Sequence, residues 1–260
     1  MIIAIPSTRR AGKQLTWKNL SAAGRAQTIV VVPEGEEQAY GCRIPAPQVH
    51  GIPVRGIGHT RQWILEYAAQ HSDDGKVAMF DDDLRFTVRR QDDPTKFRLP
   101  TEQDVDAMLH RLSVLLDTHI HASIAVRQGA NRKTEPTLYN ERMLRVLAFD
   151  ARKTLAAGVD YGRLEVMEDF DVTLTLLRKG HPCAIVNDYA QDQVASNAPG
   201  GCSTYRDFGM QERSALMLAE LHAPFVTVVE KKTPNWGKFG GGVRKDVIIQ
   251  WKRAFDSGEK

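Results

Sequence analysis

The sequence contains little cysteine and no long apolar run. Its three cysteines, Cys42, Cys183 and Cys202, are odd in number, far apart and without metal-ligand spacing. This pattern argues against a disulfide framework and indicates a reducing, cytoplasmic setting. No run of about 18 apolar residues occurs, so we expect no membrane-spanning helix. The apolar start, residues 1–5, is too short to predict a signal peptide, and Pro6 ends it.

Repeats and low-complexity tracts are also absent, and no linker divides the chain. We therefore expect a single domain over residues 1–260, with a loop-rich C-terminal third. A chain of this length buries one sizeable core without help from disulfides. Its formal net charge of +3 permits a nucleic-acid partner without demanding one. The basic residues lie in clusters, and each cluster is equally well explained as solvated surface.

Strand and helix patterns alternate along the chain, which favours an α/β sheet with helices on its faces. The predicted strands are residues 2–6, 28–32, 76–80, 120–126, 143–149, 183–187 and 225–230. The predicted helices are residues 59–70, 101–117, 168–179 and 205–222. The helix over 101–117 is the clearest, because Thr101 and Asp104 fit a capping box and an apolar stripe follows.

Three consecutive aspartates, Asp81, Asp82 and Asp83, directly follow the third predicted strand. Open α/β sheets bind ligands outside the carboxyl ends of their strands. Because side chains alternate along a strand, Asp81 and Asp83 are predicted to face one way and Asp82 the other. Two converging carboxylates repel each other unless a cation lies between them, and hard oxygen ligands select Mg²⁺ or Mn²⁺. The alternative is a solvated acidic turn, but the apolar strand before it favours a metal that bridges nucleotide phosphates.

Glu168 and Asp169 begin another predicted helix. The helix dipole favours acidic residues in a first turn, and this alone explains their presence. The functional alternative is a carboxylate that takes a proton from an acceptor hydroxyl. Asp169 is the better candidate for that base, and Glu168 would help to position the acceptor.

Two loops are candidates for binding a nucleotide. The loop that contains Ser7, Thr8 and Arg10 follows the opening strand, where a nucleobase would lie. The Gly-Ile-Gly turn that ends at Gly58 opens a helix, whose free backbone N–H groups suit a diphosphate. Arg61 would add a charge-assisted bond, although a tight turn also explains the glycines.

A third loop, residues 197–206, leads into the helix predicted over 205–222. One interpretation is a lid over the donor, with Tyr205 and Arg206 touching phosphate or acceptor. The other is a plain connection with an N-cap at Ser203 or Thr204. The sequence favours neither.

Taken in order, these motifs resemble those of the GT-A glycosyltransferases over about residues 1–190. The resemblance implies a GT-A-like, Rossmann-like mixed sheet flanked by helices, with a donor-binding half of about 1–120 and an acceptor-binding and C-terminal part of about 121–260. It implies that Asp81 contacts the nucleoside or the metal, that Asp83 contacts the metal, and that Asp169 contacts the acceptor hydroxyl. The residues then predicted to bind the donor are Pro6, Ser7, Thr8, Arg10, Gly58, Arg61, Asp81 and Asp82.

A narrower resemblance covers nearly the whole chain. Residues 3–7, 60–64, 79–86 and 200–206 are similar to segments of the TET-associated glycosyltransferases of bacteriophages. That family implies metal-dependent transfer from a nucleotide sugar, by default a UDP-sugar, to 5-hydroxymethylcytosine in phage DNA. It also implies a cytoplasmic location in the bacterial host and a functional link to a TET-type dioxygenase, which makes the acceptor base from 5-methylcytosine.

Binding to DNA requires Lys and Arg side chains that meet phosphates. The basic segment 85–98 leaves the aspartates and is predicted to form a wall of the DNA groove. The residues predicted to contact acceptor or DNA are Arg85, Arg89, Arg90, Arg132, Tyr205 and Arg206. Three alternatives remain open: a glycosyltransferase for a small molecule, glycan or protein; a nucleotidyltransferase; and a non-catalytic DNA-binding phage protein with structural aspartates.

Overall fold

A large mixed sheet runs through the protein in a computed structural model, which describes residues 1–193, 201–233 and 240–258. The ten strands of this sheet are β1 (Ile2–Pro6), β2 (Thr28–Pro33), β3 (Val49–Ile52), β4 (Lys76–Phe80), β5 (Leu84–Arg89), β6 (Phe97–Arg98), β7 (His121–Val126), β8 (Thr137–Tyr139), β9 (Val146–Asp150) and β10 (Cys183–Gln193). A separate hairpin consists of β11 (Val226–Thr233) and β12 (Gly242–Ile249).

Helices cover the sheet and pack beside the hairpin. They are α1 (Leu15–Asn19), α2 (Ala22–Ala26), α3 (Glu37–Gly41), α4 (Ile57–His71), α5 (Glu102–Leu115), α6 (Arg127–Ala130), α7 (Ala151–Ala156), α8 (Glu168–Arg178), α9 (Phe208–Leu221) and α10 (Trp251–Asp256). No helix in the described part of the chain is long and apolar enough to cross a membrane.

The sheet is parallel at one end and mixed at the other. Its strand order is β3-β2-β1-β4-β9-β7-β10-β5-β6, with β8 also paired to β10. Strands β3, β2, β1 and β4 run parallel, whereas β9 is antiparallel to both of its neighbours. The predicted GT-A-like mixed sheet flanked by helices is thus confirmed. Because β1 and β4 are parallel neighbours, the loops that follow Pro6 and Phe80 meet at one edge.

Apolar residues fill both faces of the sheet, as expected for buried parallel strands. On one face, Ile3 and Ile5 of β1 pack with the stripe of α5, including Leu112. On the other face, Ala4 packs with α4 residues such as Ile64. The capping box of α5 is confirmed, because the backbone N–H of Asp104 donates to the Thr101 hydroxyl while that of Thr101 donates to the Asp104 carboxylate.

A third apolar cluster joins the C-terminal elements to α8. Phe170 and Leu174 of α8 pack with Leu218 of α9, Val226 of β11 and Ala254 of α10. This contact places the β11–β12 hairpin beside the start of α8. The C-terminal third was expected to be rich in loops. Where it meets the candidate site, it has regular structure instead, formed by the hairpin and its neighbouring helices.

Gly58 permits the close contact that fixes the start of α4. A Cβ atom at this position would lie 2.4 Å from the backbone oxygen of Tyr161 and 3.2 Å from that of Leu164. Both obstacles are backbone atoms, which cannot move aside as a flexible side chain would. Helix α4 can therefore pack here only through a glycine.

We predict that Gly58→Ala destabilises the protein by about 1–3 kcal/mol, because the added methyl group overpacks this contact. Gly41→Ala is the matched control, since nothing lies within 4 Å of a Cβ atom at Gly41. Urea-induced unfolding of both variants measures the difference. Equal stabilities for the two variants would contradict this explanation of Gly58.

Candidate active site

A cavity of about 710 Å³ opens where the loops after β1 and β4 meet the starts of α4 and α8. The hairpin contributes its remaining side. The cavity brings together residues that are far apart in sequence, including Ser7, Arg61, Asp81, Asp169 and Arg244. Most of the residues predicted to bind the donor line it, namely Pro6, Ser7, Thr8, Arg10, Arg61, Asp81 and Asp82.

Asp82 points into the protein and holds the loop after β1. Its carboxylate accepts hydrogen bonds from the Ser7 hydroxyl at 2.5 Å and from Arg10 Nη1 at 2.6 Å. The Ser7 hydroxyl also lies 2.8 Å from the Tyr40 hydroxyl and accepts from Gln14 Nε2. Burial raises the pKa of Asp82, and the charge of Arg10 opposes that rise. The network fixes the end of β1 relative to the end of β4.

Asp81 and Asp83 are the more accessible members of the triplet. Their side chains are 32% and 18% exposed, against 5% for Asp82. Asp83 accepts from Arg10 Nη1 at 3.1 Å, and Asp81 accepts from Arg61 Nη2 at 2.9 Å. Burial raises the pKa of Asp81 to about 6; Arg61 opposes the rise, and the neighbouring carboxylates add to it. The cavity wall therefore carries a concentrated negative charge.

Arg61 joins the aspartate triplet to the start of α8. It is buried in the first turns of α4, and its guanidinium donates to Asp81 from Nη2 and to Glu168 Oε1 from Nη1 at 2.5 Å. Burial lowers the pKa of Arg61, but the carboxylates of Glu168, Asp81 and Asp169 outweigh it, so the pKa is raised. Arg61 is therefore permanently charged.

The start of α8 presents two buried carboxylates to the cavity. Met167 precedes them in the left-handed region at φ 65°, and Glu168 and Asp169 both line the cavity. Burial raises the pKa of Glu168 in spite of Arg61. Asp169 Oδ1 accepts from the backbone N–H of Phe170 at 3.0 Å. The two side chains thus lie at one helix start, with Glu168 held by an arginine.

Asp171 does not line the cavity, and its contacts fix the start of α8. Its carboxylate accepts two hydrogen bonds from Arg163, at 2.9 and 2.6 Å, and lies 2.7 Å from His222 Nε2. His222 follows α9, so the contact ties α8 to the C-terminal elements. Of the three acidic residues in the first turn of α8, Asp171 is the one that holds the fold together.

The start of α4 meets the segment predicted as a lid. Gly56 and Ile57 line the cavity, and the Ile57 backbone N–H donates to the Tyr205 hydroxyl at 3.1 Å. Arg206 also lines the cavity, and its charge acts on Glu168. Gly58 is outside the lining, and its Cα packs against the backbone of Tyr161; a contact of its N–H with the donor stays a prediction. Residues 197–200 of the lid lie outside the described residues.

The predicted wall of the DNA groove is partly wrong. Arg89 is buried, and its guanidinium donates to the backbone oxygens of Asn187, Pro94 and Ala130, so it is unavailable to phosphates. Arg90 is exposed but paired with Asp92. Arg85 and Arg132 are exposed and outside the cavity lining, and a contact with DNA remains a prediction for them.

Four cationic residues line the cavity but were not among the site residues predicted from the sequence. Arg142 lies over the Phe170 ring at 4.7 Å, and Arg145 has a left-handed backbone at φ 65°. The carbonyl of Arg145 accepts from the Asp81 backbone N–H at 3.0 Å. Lys231 and Arg244 come from the hairpin. The basic run that includes Lys231 and Arg244 is visible in the sequence, but no local pattern singles out the other two.

Asp81 and Asp83 are the candidate ligands for a divalent metal. Within residues 1–193, 201–233 and 240–258, no group of three or more His, Cys, Asp or Glu side chains is arranged to hold an ion. Asp81 and Asp83 nevertheless supply hard oxygen ligands on the cavity wall. Mg²⁺ is commonly bound by one or two carboxylates, with phosphates and water completing its shell. The residues therefore fit a metal that is bound together with a diphosphate.

The protein is an α/β protein whose charged cavity lies at the edge of a mixed sheet, and a family model matches most of its sequence. The model described as TET-Associated Glycosyltransferase matches residues 1–201. The chain therefore belongs to that family and is a glycosyltransferase. The hairpin, α9 and α10 lie beyond the matched residues.

Two curated phage proteins are similar to this chain over most of its length. Both are named Beta-glucosyl-HMC-alpha-glucosyl-transferase. The protein of Enterobacteria phage T6 is 26% identical over 224 residues, and that of Enterobacteria phage T2 is 26% identical over 227 residues. In each case the match covers 79% of this chain and 75% of the relative.

Two solved structures overlap more loosely with the protein. A mannose-1-phosphate geranyltransferase from Thermus thermophilus has a TM-score of 0.47 at 9% identity, with 80% of each chain covered. S. aureus TarS 1-349 has a TM-score of 0.45 at 12% identity, covering 83% of this chain and 65% of that one.

We predict that Asp81 makes the stability of the protein pH-dependent. Because its folded pKa of about 6 lies above the ordinary value, the folded state holds this proton more tightly than the unfolded chain. The contribution of Asp81 to the free energy of unfolding is complete below the ordinary pKa of an aspartate, and it is lost as pH rises through about 6. Wild-type protein should therefore lose stability relative to Asp81→Asn between about pH 4.5 and pH 7.

Chemical denaturation across this pH range measures the difference. Asp73→Asn is the control, since Asp73 is exposed, and its difference from wild type should stay constant. A constant difference for Asp81→Asn as well would contradict the raised pKa.

Proposed function

We propose that the protein transfers a sugar from a nucleotide sugar, by default a UDP-sugar, to the hydroxymethyl group of 5-hydroxymethylcytosine in phage DNA. One observation carries the proposal: the two terminal nitrogens of Arg61 hold Asp81 and Glu168, so that the carboxylate expected at the donor and the carboxylates expected at the acceptor line a single cavity. The names of the two curated relatives support HMC as the acceptor base. The reaction would take place in the cytoplasm of the bacterial host, after a TET-type dioxygenase has made the acceptor base.

The donor would lie along the edge formed by β1, β4 and α4. The loop after β1, with Ser7, Thr8 and Arg10, would hold the nucleoside. The start of α4 offers backbone N–H groups to the diphosphate, and the guanidinium of Arg145 lies in the same cavity. Tyr205 would have to leave the Ile57 N–H for a phosphate to take its place.

Mn²⁺ or Mg²⁺ would be held by Asp81 and Asp83. A bound cation supplies charge neutralisation at the diphosphate leaving group. The carboxylates of Asp82, Asp83 and Asp169 act on Asp81, and a bound cation would relieve the repulsion among them.

Asp169 would act as the base toward the acceptor. Its carboxylate takes the proton of the acceptor hydroxyl while that oxygen bonds to the anomeric carbon and the bond to the diphosphate breaks. Glu168, held by Arg61, would position the acceptor. Direct displacement of this kind inverts the configuration at the anomeric carbon.

The relatives favour a second candidate acceptor. By name they add an α-linked glucosyl group to β-glucosyl-HMC, so a base that already carries glucose is the alternative for this chain. Transfer to both kinds of DNA, with the product linkage read by NMR, separates the candidates. Retention of the donor configuration would contradict Asp169 as the base of a direct displacement.

The main test uses 5-hydroxymethylcytosine DNA, a panel of nucleotide sugars and nucleoside mass spectrometry. We predict a glycosylated nucleoside, with turnover about 10²- to 10⁴-fold lower in Asp169→Asn and donor binding retained. Asp73→Asn is the control and should be fully active.

Three results would contradict the proposal. Absence of a modified nucleoside with every sugar would reject the DNA acceptor. Release of pyrophosphate would indicate a nucleotidyltransferase. Full activity of Asp169→Asn would remove that residue from the chemistry.

Metal binding is tested by thermal unfolding with UDP. We predict that Mn²⁺ enlarges the stabilisation by UDP in wild-type protein, because the ion and the diphosphate bind together. Asp83→Asn should lose this enlargement, whereas Asp73→Asn should keep it. An equal effect of Mn²⁺ on Asp83→Asn would contradict the assignment of the ligands.

A further inference from the structure

We propose that the β11–β12 hairpin and the start of α10 form the surface that holds DNA phosphates beside the cavity. This inference rests on the proposed function only in taking DNA as the acceptor. We call this surface the C-terminal basic surface. It consists of Lys231, Lys232, Arg244, Lys245, Lys252 and Arg253.

The positive charge of the protein is concentrated in this part of the chain. Residues 226–253 contain seven Lys or Arg residues and two Asp or Glu residues, a net charge of +5. Since the whole chain has a formal net charge of +3, the remainder carries −2. A modest total charge is therefore compatible with a polyanionic partner, because one segment supplies all of the excess.

The hairpin turns one face toward the cavity. Val226, Val228, Val247 and Ile249 pack in the third apolar cluster with α9. In the antiparallel register Lys231 lies opposite Arg244 and Thr233 opposite Gly242, on the alternate face. Lys231, Thr233, Arg244 and Asp246 line the cavity. DNA bound to this face would therefore lie next to the donor site.

Cations exceed anions on that face. Lys231 and Arg244 share a single carboxylate, that of Asp246, at 3.5 and 3.0 Å. Lys232 is exposed at the end of β11 but lies on the opposite face, where Lys245 pairs with Glu230 at 2.7 Å. The Lys252 side chain is 73% exposed, and its ion pair with a glutamate is long, at 3.9 Å. Exposed lysines that flank a cavity can meet successive phosphates with little loss of internal ion pairing.

Segment 85–98 contains five Lys or Arg residues and two Asp residues, but every cation in it except the exposed Arg85 has a partner within the fold. Arg90 pairs with Asp92, Lys96 with Asp93, and Arg98 with Asp104, while the guanidinium of Arg89 is used within the fold. Each of these cations already has an internal partner. The comparison therefore favours the C-terminal basic surface over the wall predicted from the sequence.

Phosphate contacts fix the position of a duplex but carry no sequence information. The C5 substituent of a pyrimidine lies in the major groove. A hairpin that holds the backbone at the cavity mouth would thus orient the duplex with its hydroxymethyl groups toward Asp169. Sequence preference is not expected from this surface.

The test compares Lys252→Gln/Arg253→Gln, the surface variant, with the matched control Arg90→Gln/Lys96→Gln, which removes the same charge from segment 85–98. Binding to a 5-hydroxymethylcytosine duplex is measured by fluorescence anisotropy at several salt concentrations. Each lost phosphate contact lowers the salt slope by about 0.9. We expect a slope reduced by about 1–2 and affinity roughly tenfold or more weaker at 0.1 M salt for the surface variant, with less than twofold change for the control.

A second measurement separates this inference from the proposed function. Transfer to the free 5-hydroxymethylcytosine nucleoside should be unchanged in both variants, which also shows that they fold. If wild-type protein modifies DNA but the surface variant keeps its slope, or the control loses as much, the surface is wrongly assigned. If wild-type protein neither binds nor modifies the duplex, the DNA acceptor itself is wrong and the surface assignment fails with it.

Discussion

The buried guanidinium of Arg61 is the interaction on which the site depends. It lies between Asp81 at the end of β4, whose side chain is 32% exposed, and Glu168 at the start of α8, with which it forms a buried ion pair. Breaking a buried pair by removing one partner costs about 3–5 kcal/mol, because the other charge is left uncompensated. Arg61 therefore fixes two elements from opposite ends of the cavity at a defined separation. It is itself positioned by α4, which Gly58 allows to pack against Tyr161.

Arg61 and Arg10 do not neutralise the site completely. Five carboxylates surround them, and burial raises the pKa of Asp81, Asp82 and Glu168. Carboxylates and cationic side chains line the cavity together, and a donor that arrives as a diphosphate with a cation would use both kinds of charge. The cation would compensate the aspartates, and the helix start and arginines would compensate the phosphates. The same charges that weaken the unliganded fold would then bind the donor.

The sequence predicts local features of this site well. The apolar strand before Asp81, the acidic start of α8 and the capping box at Thr101 all follow from short patterns, and the structure has each of them. Placing Asp81 at the carboxyl edge of a sheet also required no more than strand order.

Contacts between residues far apart in the sequence could not be predicted from such short patterns. Arg61 and Glu168 are 107 residues apart, and Arg89 looks like any exposed arginine until its contacts with Asn187 and Ala130 are known. Gly58 resembles a phosphate-loop glycine, and its packing against Tyr161 is not visible in the sequence. The position of Arg145 in the cavity lining depends on its left-handed backbone, which no local sequence motif predicts.

The most direct test of this account is a double-mutant cycle on transfer rates. Asp81→Asn and Glu168→Gln are combined in protein with Arg61 and in protein with Arg61→Met. If Arg61 couples the two carboxylates, their effects should be non-additive by about 1 kcal/mol or more with Arg61 and additive within about 0.5 kcal/mol without it. Additive effects in both backgrounds would show that the donor and acceptor sides act independently, which would contradict the account.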